Sequence, residues 1–119
     1  MSYVDGFVLC VPTKNLAKYK KMAQAAGKVW KKHGAISYVE AVADDVAGNG
    51  FCITFPEMAK PKKGETVLFS FITYKSRRHR DSVNKKVMAD MKNEDCSKME
   101  KVFDFKRMAY SGFKPIVEF

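Results

Sequence analysis

Apolar and polar residues alternate with a period of two in four stretches of this chain, and apolar residues recur at steps of three and four in two others. Residues 3–12, YVDGFVLCVP, are rich in β-formers and stop at Pro12, which predicts a strand buried on both sides. Over 14–33, Leu16, Tyr19, Ala23, Ala26, Trp30 and His33 make one stripe, while Lys14, Lys18, Lys21, Lys28 and Lys32 mostly lie off it. That spacing predicts a helix, with Thr13 as its cap and Gly34 as its left-handed stop. Residues 35–46, AISYVEAVADDV, predict a second strand. The stretch 47–64 reads as a loop, with a turn at Gly48-Asn49-Gly50, breaks at Pro56, Pro61 and Gly64, and FCITF as a short extra strand. The strongest strand signal is 65–75, which opens ETVLFSFITY. Ser76 is placed to cap a second helix over 77–91, with His79 or Arg80, Val83, Val87 and Met91 inward. Residues 92–104 read as irregular with one helical turn, and 105–118 as the last strand.

The order βαββαβ predicts one ferredoxin-like α+β domain over 1–119. Its four-stranded antiparallel sheet carries both helices on one face and sets the first strand beside the last. Sorting the strands by parity assigns Val4, Gly6, Val8, Cys10, Val39, Ala41, Leu68, Ser70, Ile72, Tyr110 and Gly112 to the helix face. The other face then carries Tyr3, Asp5, Phe7, Leu9, Tyr38, Glu40, Val42, Val67, Phe69, Phe71, Arg107 and Phe113. That face is too apolar for water, which predicts a homodimer packed sheet to sheet. Asp5 is expected to face Arg107 across neighbouring strands. The pair is either a structural ion pair or part of a polar cluster in an apolar pocket.

Nearly half of the 119 residues (46%) are hydrophobic, enough for a single packed core. No apolar run is long enough to cross a bilayer and the N-terminus has no signal-peptide pattern, so the cytoplasm is the expected location. Three cysteines without a CxxC motif, and two histidines, show no ligand spacing, so no metal or cofactor is expected. The net charge of +9 comes from 22 basic residues scattered among 13 acidic ones, a pattern that fits lysine-rich solvated helices. Nucleic acid is not an expected partner. The third strand presents Phe69 and Phe71 but lacks the basic residue and glycines of an RNA-recognition motif, leaving only weak phosphate binding by basic helix surfaces.

Four stretches carry a family resemblance: YVDGFVLCVP at the start, WKKHGAISYVEAVADDV at 30–46, YKSRRHRDSVNKKVMAD at 74–90 and FDFKRMAYSGF at 103–113. Together they resemble the YbaA-like family of uncharacterised bacterial proteins, over nearly the whole chain. The resemblance implies the dimeric α+β barrel superfamily, and with it the ferredoxin-like fold and the dimer. It transfers no catalytic residues, and fold alone does not assign an activity.

Candidate site residues follow from chemistry. Asp5, His33 and Glu40 are the candidate proton-transfer groups, with Tyr3, Trp30, Tyr38, Phe69, Phe71 and Arg107 as the ligand-binding shell. The pocket is expected between sheet and helices or near the dimer seam, holding a small molecule. Arg77, His79 and Arg80 at a helix N-terminus are a candidate anion site. Two other readings stand beside this one: a non-catalytic stress or interaction protein, and a weakly RNA-associated protein. Whether the chain is an enzyme, and whether loop 47–64 acts as a lid, stay open at this point.

Overall fold

A computed structural model describes residues 2–92 and 97–119. Strand β1 (Tyr3–Pro12) leads through a short 3₁₀ turn (Thr13–Asn15) into helix α1 (Leu16–Lys32), followed by β2 (Ser37–Val42), α2 (Phe55–Ala59) and β3 (Glu65–Tyr74). Helix α3 (Arg77–Met91), a single turn α4 (Ser97–Glu100), a second 3₁₀ turn (Phe105–Arg107) and β4 (Ala109–Phe113) complete the chain. The sheet order is β2-β3-β1-β4, every pair antiparallel, which places the first strand beside the last.

Local chemistry explains most boundaries. Gly34, at φ +109°, closes α1 in a conformation that side chains with a Cβ avoid. The Ser76 hydroxyl accepts from the His79 backbone N–H at 3.0 Å and caps α3 as expected. Thr13 does not cap α1. It opens the 3₁₀ turn, and Asn15 at the cap position turns its amide to the Val102 carbonyl at 2.9 Å instead. The segment expected as an extra strand, residues 51–55, forms no strand; only its last residue enters the short helix α2, which Thr54 caps and Pro56 in its first turn favours. The expected last strand shortens to five residues, since Asp104 caps a 3₁₀ turn over Phe105–Arg107.

The register corrects the sorting of faces. Asp5 stands opposite Ile72 and Gly112, Phe7 opposite Ser70 and Tyr110, and Glu40 opposite Ser70. Opposed residues share a face, so Tyr3, Asp5, Phe7, Leu9, Tyr38, Glu40 and Val42 lie on the helix face with Leu68, Ser70 and Ile72. Val4, Gly6, Val8, Cys10, Val39 and Ala41 lie on the other face with Phe69, Phe71 and Phe113. Each strand's own alternation is as read, but β1 and β2 are turned over relative to β3 and β4. Parity within a strand carries no information about which neighbour it opposes.

The core therefore has two clusters on the helix face. Leu9, Val11, Tyr19, Ala23, Leu68, Val102 and Phe103 form one, and Tyr3, Ala35, Ile72, Tyr74, Val83 and Val87 the other. On the opposite face, α2 covers one end, where Cys10 and Val67 are buried and the Cys10 thiol approaches the Ala59 carbonyl. The rest of that face is open, with Phe69, Val39 and Phe113 exposed.

Candidate functional site

Two polar nests interrupt the apolar layer between the sheet and its helices. The first is centred on Glu40, at the middle of the edge strand β2. One carboxylate oxygen accepts the Tyr19 hydroxyl at 2.7 Å and also the Ser70 hydroxyl; the other accepts the Tyr38 hydroxyl at 2.7 Å. Three elements converge here: α1 supplies Tyr19, β2 supplies Glu40 and Tyr38, and β3 supplies Ser70. Burial pushes both tyrosine hydroxyls far above their ordinary pKa, reinforced by the bond to Glu40, so both stay protonated as donors. Gly27 makes the arrangement possible. A Cβ there would lie 2.9 Å from the Tyr38 ring, so only glycine lets α1 settle onto it.

Glu40 stands where two spaces meet. Inward lies a mostly apolar cavity of about 150 Å³, lined by Phe7, Ala26, Trp30, Ile72, Met91 and Phe103 among others. Outward runs an open groove of about 890 Å³ between α1 and β2. Tyr19, Ala23, Tyr38 and Glu40 line both. Trp30 closes the cavity beside Tyr38, with ring centroids 5.9 Å apart, and its indole N–H donates to Asn84 of α3 at 3.0 Å.

The second nest is centred on Asp5, 1% exposed near the start of β1. Its partner is Arg80, not Arg107: the Arg80 Nε lies 3.3 Å from the carboxylate, close but without the alignment of a hydrogen bond. Arg80 also donates to the Tyr3 hydroxyl at 3.1 Å and stacks over that ring, while the Tyr110 hydroxyl donates to Asp5 at 3.2 Å. Burial opposes the Arg80 charge, but the Tyr3 bond and the Asp5 carboxylate outweigh it and raise its pKa. Gly112 leaves room for this packing, since a Cβ there would meet both Arg80 and Tyr3 below 3 Å. Arg107 instead grips Glu65 through two bonds of 2.7 and 2.8 Å, which holds the Glu65 carboxyl below its usual range.

The candidate residues thus separate into distinct places. Glu40, Tyr38 and Trp30 come together at the cavity. Asp5 and Tyr3 sit in the second nest. Phe69 and Phe71 lie on the opposite side of the sheet, and Arg107 at the end of β3. His33 ends α1 and bonds Asp90 of α3 at 2.6 Å, which holds the Asp90 carboxyl low. The candidate anion trio does not converge: Arg80 turns inward, the His79 Nδ1 accepts the Lys75 backbone N–H, and Arg77 is exposed. Tyr19 and Ser70 were not singled out from sequence. Tyr19 was visible only as a stripe residue, and nothing marks Ser70 until the β2–β3 register is known. Among the described residues, no group of three or more His, Cys, Asp or Glu side chains gathers to hold a metal ion.

Residues 2–105 match the model of a family described as proteins of unknown function, DUF1428. The chain is 39% identical over 118 residues to the uncharacterized protein YbaA of Escherichia coli K12, covering 99% of both chains, and to its counterpart in Shigella flexneri to the same extent. Among solved structures, a dimeric ferredoxin-like protein from an uncultured marine organism superposes with a TM-score of 0.63 at 11% identity, covering 100% of this chain and 98% of that one. Rv0793 from Mycobacterium tuberculosis superposes with a TM-score of 0.56 at 13% identity, covering 99% and 98%. These likenesses establish the ferredoxin-like α+β fold.

Proposed function

The chain belongs to the YbaA-like DUF1428 family of proteins of unknown function, and from its interior we propose that it is a homodimeric small-molecule-binding protein. Each subunit takes a ring-sized apolar group into the cavity behind Trp30 and offers Glu40 to a proton donor on the ligand. One observation carries this reading: a carboxylate held by three hydroxyls stands where an open groove meets an apolar cavity. A cavity of that size accommodates a single aromatic ring. Tyr19 and Tyr38 already donate to Glu40, so a bound hydroxyl would compete for the same oxygens.

The dimer rests on the open sheet face. Phe69, Phe71, Val39 and Phe113 form a continuous apolar layer that water solvates poorly, and a ferredoxin-like neighbour is itself dimeric. No helix is long and apolar enough to cross a membrane among the described residues. Free thiols at Cys10 and Cys52 suit the cytoplasm, where this reading places the protein. Phenol titration followed by fluorescence of Trp30, the single tryptophan, tests the pocket. The wild type is expected to saturate, whereas Ala26→Leu, which fills the cavity, does not respond. Identical titrations in both proteins would refute the pocket.

A further inference from the structure

The groove that leads to Glu40 has an unusual electrostatic wall. Of its lining residues, Lys20, Lys28 and Lys31 are cationic, Gln24 lies between the first two, and Glu40 is the only carboxylate. Between Asp5 and Glu40 the sequence contains no acidic residue at all, while it contains seven lysines. Helix α1 thus carries six lysines with no carboxylate of its own to offset them. Lys31 is committed, its ammonium donating to the Ile36 carbonyl at 2.8 Å. Lys20 and Lys28 form no ion pair among the described residues. They stand eight residues apart, so they share one side of the helix about 12 Å apart along its axis.

We propose that this groove selects anionic ligands, of the class of arylalkanoates, with the ring in the cavity, a short alkyl chain running past Glu40 and the charge between Lys20 and Lys28. The inference rests on the pocket reading above and adds the ligand's charge and orientation. Glu40 sets that orientation. It repels a second carboxylate at the cavity mouth, so the acid group must point out along the groove, where two unpaired ammonium groups attract it. A ring entering carboxylate-first would place two negative charges together in a poorly solvated site, which is strongly unfavourable.

The test compares three probes of similar size, 3-phenylpropanoate, 3-phenylpropan-1-ol and 3-phenylpropylamine, by Trp30 fluorescence at physiological salt. 3-Phenylpropanoate is expected to bind about tenfold more tightly than 3-phenylpropan-1-ol, with 3-phenylpropylamine weakest. Lys20→Gln/Lys28→Gln should abolish that preference and leave 3-phenylpropan-1-ol unchanged. Both lysines are exposed, so the fold is expected to persist, which circular dichroism checks. Lys18→Gln/Lys21→Gln removes the same charge away from the groove and should keep the preference. Equal binding of 3-phenylpropanoate and 3-phenylpropan-1-ol overturns the anionic class while leaving the pocket intact. Loss of preference in the Lys18/Lys21 control assigns it to net charge and also overturns the proposal. Silence with all three probes removes the pocket and the inference together.

Discussion

At the scale of single residues, this protein's buried charges are the most informative feature. Asp5 is enclosed with Arg80 almost against it, so removing one partner leaves the other without compensation. Asp5→Leu alone should cost about 3 kcal/mol or more, whereas Asp5→Leu with Arg80→Met should cost less than the two single changes combined. Urea unfolding of the four proteins checks this. The Glu65–Arg107 pair adds a pH signature. Because Arg107 depresses the folded-state pKa of Glu65, the native state binds fewer protons than the unfolded chain at mildly acidic pH. The pair's contribution is therefore complete above the ordinary glutamate range and disappears as pH falls through the depressed value. Melting temperatures of wild type and Glu65→Gln should differ at pH 7 and converge once the pH has fallen below the depressed Glu65 value. Asp5 is legible in the sequence as a charge needing a partner, but that partner is Arg80 and not the expected Arg107, and nothing in the sequence marks Glu65. Arg80 reaches Asp5 from a helix, a contact that strand alternation cannot reveal.

At the scale of elements, α1 does most to shape the site. Gly27→Ala would ordinarily stabilise a helix interior by roughly 1 kcal/mol. Here the added methyl meets the Tyr38 ring, so the variant should gain nothing and should weaken phenol binding through displacement of Tyr38 from Glu40. Unchanged phenol affinity in a more stable variant would count against Tyr38 as a wall of the pocket. Helix α3 depends on its cap, and Ser76→Ala should lower stability by about 1 kcal/mol without affecting ligand binding. The helices, their stop at Gly34 and their cap at Ser76 were legible because they depend on near neighbours in the chain. The shortening of β4 was not, because Asp104 captures the Lys106 backbone N–H and turns the chain before the strand begins.

At the scale of the whole molecule, the two faces of the sheet have separate roles. The helix face is covered by α1 and α3, apart from the groove beside β2, and holds both polar nests; the other face is open except where α2 rests on it. Phe71→Glu places a charge in the open apolar layer and should yield a monomer at micromolar concentration, with unaltered far-ultraviolet circular dichroism. Size-exclusion chromatography with light scattering reports the mass of both proteins. A wild type that is already monomeric would sink the proposed dimer. The loop carrying Phe51 and Ile53, both strongly exposed, adds apolar surface beside the same face.

The amino-acid pattern alone determined the order of elements, the ferredoxin-like class and the alternation within each strand, because these depend on propensities and spacings within a few residues. It also marked Asp5, Glu40 and Arg107 as charges in an apolar setting, although it assigned Asp5 and Glu40 to the wrong face of the sheet. Only the tertiary structure decided which strand faces oppose one another, that Asp5 belongs to Arg80, and that Tyr19 and Ser70 complete the nest around Glu40. Pairing register is a long-range choice, and a shift of one residue moves every side chain to the other face of the sheet.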